Sequence, residues 1–336
     1  GKAHHCMVDG IAALELGSLL LDATPEPAAC APDRWSPEPR PGARRLLMRA
    51  GRDLLAGQLG LLRASLRAST QPTRAAEQVG QGALRVSRAL SHSLLIGAPA
   101  SALNRSLSPL RRLAWAERPL DDLRKIRRVY GTTVNDVMLA AVAGGIRTYL
   151  TDHGERPVTL KAMVPVNVRG PKDLLGNHIS FVFAELPCAE PDPVGRLYRV
   201  HATMSARKRD REPEGADLAL KAAEHTPVPV QNAISRMIAS PRTFNLVVSN
   251  IPGPPETLYL RGCPLKAIYP VVPLADRHAV SVGMTTVRDR ACFGVYADRE
   301  ALPDTDSLAQ NIDAAITELL ASASSRRSHR DAQVLA

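Results

Sequence analysis

A layered α/β fold with a largely mixed sheet is what this chain predicts, on three observations. Apolar runs alternate between helical and strand periods from Leu103 onward, turn residues separate them, and the composition can fill a large core. The 336 residues are 45% hydrophobic, with no low-complexity or cysteine-rich signature, which suits two lobes.

Gly1-Lys2-Ala3 reads as the stub of a strand, and a helix is predicted to start at Gly10 and run to Leu21. Pro25, Pro27, Pro32, Pro37, Pro39 and Pro41 then exclude regular structure and predict an extended, semi-rigid connection over 24–42. Two helices follow, roughly Ala43 to Ser69 and Arg74 to Leu95, before Gly97-Ala98-Pro99 breaks the pattern. In the first, Arg45, Arg49, Arg52, Arg63 and Arg67 fall near one face, and Leu47, Leu54, Leu55, Leu62 and Leu66 on another. A short helix from Leu120 to Tyr130 ends at Gly131, the C-terminal capping position. The next, Thr133 to Asp152, carries Val137, Leu139, Ala141, Val142 and Ile146 around most of its circumference and is predicted to be buried. Strands are predicted at Leu160–Val168 and Ile179–Leu186, then an arginine-rich helix from Pro193 to Arg211. A further helix, Ala216 to Ile238, is interrupted near Pro227 and Pro229. Phe244–Ser249, Ala267–Val272, Ala279–Thr286 and Cys292–Tyr296 are strand-like, and Asp304–Ala321 closes with a helix. Ser322 onward, with Arg326, Arg327 and Arg330, reads as a disordered tail.

The net charge of +10 is unevenly placed: nine arginines lie between Ala43 and Ile96 against two acids, Asp53 and Glu77. That segment suits an anionic membrane or lipid-droplet surface, and equally a solvated helix face. Nucleic acid is disfavoured as a partner, because only 4% of residues are aromatic and no zinc-finger or RNP-like run occurs. Cys6, Cys30, Cys188, Cys263 and Cys292 are scattered without metal-ligand spacing and suit free thiols. No apolar run approaches the roughly 18 residues of a membrane span, and no signal-peptide pattern opens the chain. A cytoplasmic location, peripheral to a membrane or lipid droplets, is the expectation.

Chemistry concentrates in His4-His5-Cys6-Met7-Val8-Asp9-Gly10. An imidazole near its ordinary pKa of about 6.5 can take a proton from an alcohol and return it to a leaving thiolate. His4 and His5 would face opposite sides of a strand end, so only one serves a given cleft. His5 is the candidate base, Asp9 shapes the turn, and Gly10 leaves room for substrate. A turn in which Asp9 simply caps the following helix, or a partial metal site, fits the same residues. Asn135-Asp136, at the start of the buried helix, reads as a first-turn structural pair or as part of a site wall. Val164-Pro165-Val166-Asn167-Val168-Arg169-Gly170 and Gly176-Asn177-His178-Ile179-Ser180 form a strand and loop of the kind that lines clefts, with Arg169 a candidate counter-ion. Ser249-Asn250-Ile251-Pro252-Gly253-Pro254-Pro255 ends a strand in a rigid turn. His225 and His278 are isolated and read as satisfied histidines; no phosphate-binding glycine loop and no H-E-x-x-H zinc pattern occurs.

Taken together, the HHxxxDG segment, Thr133-Val134-Asn135-Asp136-Val137-Met138-Leu139-Ala140, Gly176-Asn177 and Ser249-Asn250-Ile251-Pro252-Gly253-Pro254 resemble the bacterial wax ester synthase/acyl-CoA:diacylglycerol acyltransferase family. The HHxxxDG motif is shared with peptide-synthetase condensation domains and other CoA-dependent acyltransferases; the asparagine-aspartate helix and the later proline-glycine turn narrow the resemblance. It implies a two-lobed chloramphenicol acetyltransferase-like fold, with acyl-CoA entering a central tunnel from one side and diacylglycerol or a fatty alcohol from the other. It also implies His5, with His4 and Asp9, as the catalytic group, and Gly10, Asn135, Asp136, Asn177, Ser249 and Asn250 as residues shaping the site. Acyl-CoA is then a co-substrate, with no metal, other cofactor or covalent acyl-enzyme. Members of the family carry first-lobe strands and a Pro-Leu-Trp motif ahead of HHxxxDG, so the resemblance implies an incomplete first lobe whose missing segment is supplied elsewhere or absent. The expected organisation is the remainder of the N-terminal lobe over 1–96, a C-terminal lobe over 97–321, and a tail over 322–336. Val282-Gly283-Met284-Thr285-Thr286 stands where the family commonly has a serine-tyrosine pair, a departure on the acceptor side. Two rivals fit the same residues: a condensation-type enzyme using a carrier-protein thioester, and a catalytically dead lipid-surface binding fragment.

Overall fold

The structure is a computed structural model of the chain and describes residues 10–27, 35–70, 97–167, 179–224, 226 and 228–335. The chain forms two compact units, 28–84 and the remainder, 1–27 with 85–336. The smaller unit contains one described helix, α2 (Ala43–Thr70). None of its described side chains is buried, and Leu46, Leu47, Met48, Leu55 and Leu59 are all more than half exposed. The predicted second basic helix, Arg74 to Leu95, lies outside the described residues.

The larger unit opens with α1 (Gly10–Ser18) and then holds a six-stranded sheet in the order β1-β8-β7-β4-β2-β3. Its strands are β1 (Arg111–Pro119), β2 (Leu160–Asn167), β3 (Ile179–Leu186), β4 (Leu246–Ile251), β7 (Val280–Val287) and β8 (Arg290–Asp298). A separate two-stranded hairpin joins β5 (Tyr259–Leu260) to β6 (Cys263–Pro264). The expected mixed sheet is present: β2, β4 and β7 run parallel, while β1/β8, β8/β7 and β2/β3 are antiparallel.

Helix α3 (Leu120–Tyr130) ends as its sequence predicts, with Gly131 in the left-handed region at φ 68°. Helix α4 (Val134–Asp152) is buried without a break from Asp136 to Ile146, the result of its nearly all-round apolar sequence. It packs on α5 (Pro193–Arg209) and on α8 (Thr305–Leu335), which also covers β1 and β8. Gly144 and Gly145 make this approach possible, since a Cβ on Gly145 would lie 2.6 Å from Ile312 Cγ1 and 2.8 Å from the Ile312 nitrogen.

Four expectations need correction. Strand β1 was not predicted, because Arg111, Arg112, Glu117 and Arg118 stud it as they do many edge strands and hide the apolar alternation. The helix expected over Ala216–Ile238 starts earlier, at Glu212, while its expected interruption is present and separates α6 (Glu212–Glu224) from α7 (Val228–Ile238), with Pro229 in the first turn of the second, where a missing N–H costs nothing. Ala267–Val272 is no strand: Pro270 lacks the N–H a ladder needs, and the segment crosses the face of β7 and β8 instead. The tail expected from Ser322 is helical, as α8 continues to Leu335. Ala323 is buried, and Arg326 donates to the Tyr198 hydroxyl (2.9 Å) and lies over the Tyr130 ring, contacts that only a folded helix supplies.

Candidate functional site

His4, His5, Asp9 and Asn177 lie outside the described residues, as do Arg169 and His178. Gly10, the last residue of the HHxxxDG segment, is the first residue of α1, so the helix begins where the sequence predicts.

Asn135 and Asp136 occupy the first turn of α4. The Thr133 hydroxyl accepts from the Asp136 N–H (3.1 Å) while Asp136 Oδ2 accepts from the Thr133 N–H (2.9 Å), a reciprocal capping box. The same oxygen lies 2.8 Å from His201 Nδ1 on α5. Asp136 is 2% exposed, so this is a buried carboxylate satisfied on both sides. It fixes α4 against α5, the structural reading of the pair. Sequence reasoning missed His201, which stands alone in an arginine-rich helix with nothing nearby to mark it.

A half-open cavity of about 290 Å³ adjoins this turn, lined in part by Thr133, Asn135, Asp136, Val166, Val182 and Met204. Val166 stands near the carboxyl end of β2, and the β2/β4 register pairs Met163 with Val247. Continuing that register puts Asn250 level with Val166. Asn135 and Asp136 line this cavity, and Ser249 and Asn250 stand at the carboxyl end of β4, the end of a parallel strand at which α/β sheets bind ligands. Ser249 is buried opposite Gly283, and Asn250 is half-buried opposite Met284.

Other described groups fall into structural roles. His278 is buried and stacked on Phe244, with its ring nitrogens 2.6 Å from the Asp276 carbonyl oxygen and 3.0 Å from that of Phe244; burial holds its pKa below the ordinary imidazole value. It is the satisfied histidine its isolation predicts. Burial pushes the Cys188 thiol up to about 12 and also raises Cys292, so neither is a thiolate nucleophile near neutrality. Lys161 is brought down to about 8, first by burial and then by Arg207; its ammonium lies over the Phe183 ring. Arg207 itself pairs with the buried Glu212 at 2.7 Å, tying α5 to α6. Sequence periodicity gave no warning of this buried ionic group.

The architecture defines the class first: it is the mixed α/β fold of a wax ester synthase/diacylglycerol acyltransferase. The chain superposes on the wax ester synthase/diacylglycerol acyltransferase from Marinobacter aquaeolei VT8 with a TM-score of 0.62 and 24% identity, covering 96% of this chain and 67% of that one. The model of the wax ester synthase/diacylglycerol acyltransferase catalytic domain matches residues 1–138, and that of the WS/DGAT C-terminal domain matches 175–320. An O-acyltransferase WSD of Acinetobacter baylyi is 33% identical over 319 residues, 93% of this chain and 68% of the relative. A putative diacylglycerol O-acyltransferase of Mycobacterium tuberculosis H37Rv is 32% identical over 323 residues, 95% of this chain and 69% of the relative. The chain therefore belongs to the wax ester synthase/diacylglycerol acyltransferase family, a family of acyltransferases.

Proposed function

We propose that the chain moves a fatty acyl group from acyl-CoA to the hydroxyl of diacylglycerol, and of long-chain alcohols, with His5 as general base and no further cofactor. The observation that carries this reading is the catalytic-domain match over 1–138, which takes in both His5-to-Gly10 and Asn135-Asp136. His5 takes the hydroxyl proton as the oxygen attacks the thioester carbonyl. The tetrahedral oxyanion collapses, the C–S bond breaks, and the proton passes to the CoA thiolate. Asp9 and Gly10 shape the turn that presents the imidazole; Asn135, Asp136, Asn177, Ser249 and Asn250 build the wall around it.

The test is CoA release from palmitoyl-CoA with diolein. His5→Ala abolishes it while the circular dichroism stays that of the parent chain; turnover retained in that variant overturns the assignment. Palmitoyl-carrier protein used in preference to palmitoyl-CoA would instead favour a condensation-type donor.

The exposure of the described arginine and leucine side chains of α2 supports a second, compatible role, docking on an anionic membrane or lipid-droplet surface where neutral-lipid substrates reside. A parent chain that binds anionic vesicles in a salt-sensitive way but releases no CoA has this role alone.

A further inference from the structure

Between β4 and β7 the chain leaves the sheet at Pro252 and returns at Ala279, and both feet of this excursion are fixed. At the exit, the Gly253 N–H donates to Thr286 Oγ1 (3.2 Å), and the Thr285 hydroxyl donates to the Ile251 carbonyl (2.6 Å). Any Cβ at Gly253 would overlap the Thr286 carbonyl oxygen, so only glycine fits there. On the return, Pro270 lies in a slot left by Gly283 and Gly294, register partners on β7 and β8 whose missing side chains give it room. The Ser281 hydroxyl donates to the Val272 carbonyl (2.6 Å), and the Tyr269 hydroxyl bonds Glu117 on β1.

The tip between those feet is the β5–β6 hairpin. Its two-residue turn places Arg261 at φ 48° and Gly262 at φ 82°, the signs a type I′ turn requires. The tip does not return to the sheet it left. Tyr259 exchanges both backbone hydrogen bonds with Asp22, at 2.7 and 2.8 Å, and a Cβ at Gly262 would lie 3.3 Å from the Pro25 carbonyl. Asp22 follows α1 by one turn of chain, and α1 starts on the last residue of the HHxxxDG segment.

We propose that this strap positions the catalytic motif: the docking of Tyr259 on Asp22 sets the direction of α1, whose first residue, Gly10, closes the HHxxxDG segment. The inference rests on His5 being the base. Its leverage is geometric. A nine-residue helix is roughly 13 Å long, so a tilt of about 5° at the Asp22 end moves the other end by about 1 Å. A misplacement of about 1 Å can cost on the order of 100-fold in rate. The Ser-Asn-Ile-Pro-Gly-Pro motif then acts as the fixed foot of the strap, and Tyr259 as a positioning residue acting through its backbone.

The experiment compares Tyr259→Pro, which removes the N–H that bonds Asp22, with Tyr259→Phe, which keeps it. In the full chain, Tyr259→Pro lowers kcat at least about ten-fold with KM for palmitoyl-CoA within about two-fold, and Tyr259→Phe matches the parent. Gly262→Ala, which strains the turn and presses on Pro25, gives a smaller loss of the same kind and serves if the proline variant does not fold. Parent kcat per folded molecule in the folded variants, or a lowered melting temperature alone, overturns the proposal. If His5→Ala is inactive while the strap variants are neutral, the strap fails and the base stands; an active His5→Ala overturns the base itself.

Discussion

Helices α4 and α2 sit at opposite ends of what a helix can have around it. Every residue of α4 from Asp136 to Ile146 is buried, whereas no described side chain of α2 is. The sequences anticipate the contrast. In α4 there is no polar face to turn to water, so burial is the only stable outcome. In α2 an arginine stripe and a leucine stripe share one helix, and the described members of both, Arg45, Arg49, Leu47 and Leu55 among them, are exposed. The first helix is specified by packing, and the described part of the second is not. The largest effect that sharpens the contrast comes from Gly145→Ala, because the new methyl would press on the Ile312 backbone as well as its side chain. Urea unfolding is expected to show a loss of about 3 kcal/mol. A loss below about 1 kcal/mol would mean that α8 moves away freely and that α4 is not held as a close-packed core helix.

What could be read from the sequence divides along the same line. Local signals were sufficient for α3, whose Gly131 adopts the left-handed cap, and for α4, whose Thr133 and Asp136 form the box their spacing allows. They failed wherever a distant part of the chain decides the structure. Ala267–Val272 alternates like a strand, but glycines on β7 and β8 give Pro270 a place on the face of the sheet rather than in its ladder. The tail after Ser322 is polar enough to look disordered, yet Tyr130 and Tyr198 hold Arg326 against the fold. The candidate site residues Asn135, Asp136, Ser249 and Asn250 are named from motifs alone. The long-range contacts are not legible there: His201 meets Asp136 from 65 residues away, and the Asp22–Tyr259 bridge spans most of the chain. Contacts of that sequence separation leave no periodicity to detect.

The second test asks how far α4 depends on its own first turn. Asp136→Ala removes the acceptor of the Thr133 N–H and the partner of His201, two part-buried hydrogen bonds made by a buried carboxylate. The expected loss is about 2 kcal/mol, combining a lost cap with a stranded donor. Asp136→Asn keeps an acceptor oxygen and recovers part of it. If thermal unfolding shows no difference between the two variants and the parent, the cap contributes nothing beyond packing, and the contrast between the helices rests on burial alone.

The smallest effect on stability belongs to α2, and there it is the absence of an effect that is informative. Leu47 is 73% exposed, so Leu47→Ser removes no packing that the structure contains. Unfolding should shift by less than about 0.5 kcal/mol, the range of surface substitutions away from packed features. Binding to phosphatidylglycerol vesicles should weaken by about ten-fold, because one leucine side chain buried in an apolar phase is worth about 1.5 to 3 kcal/mol. The two measurements move in opposite senses under the alternative. A variant that loses more than about 1 kcal/mol of stability while vesicle binding stays at parent strength would show Leu47 covered by protein, making α2 a packed helix like α4. Preserved stability with weakened vesicle binding keeps the two helices apart, one built for the interior and one for a lipid surface.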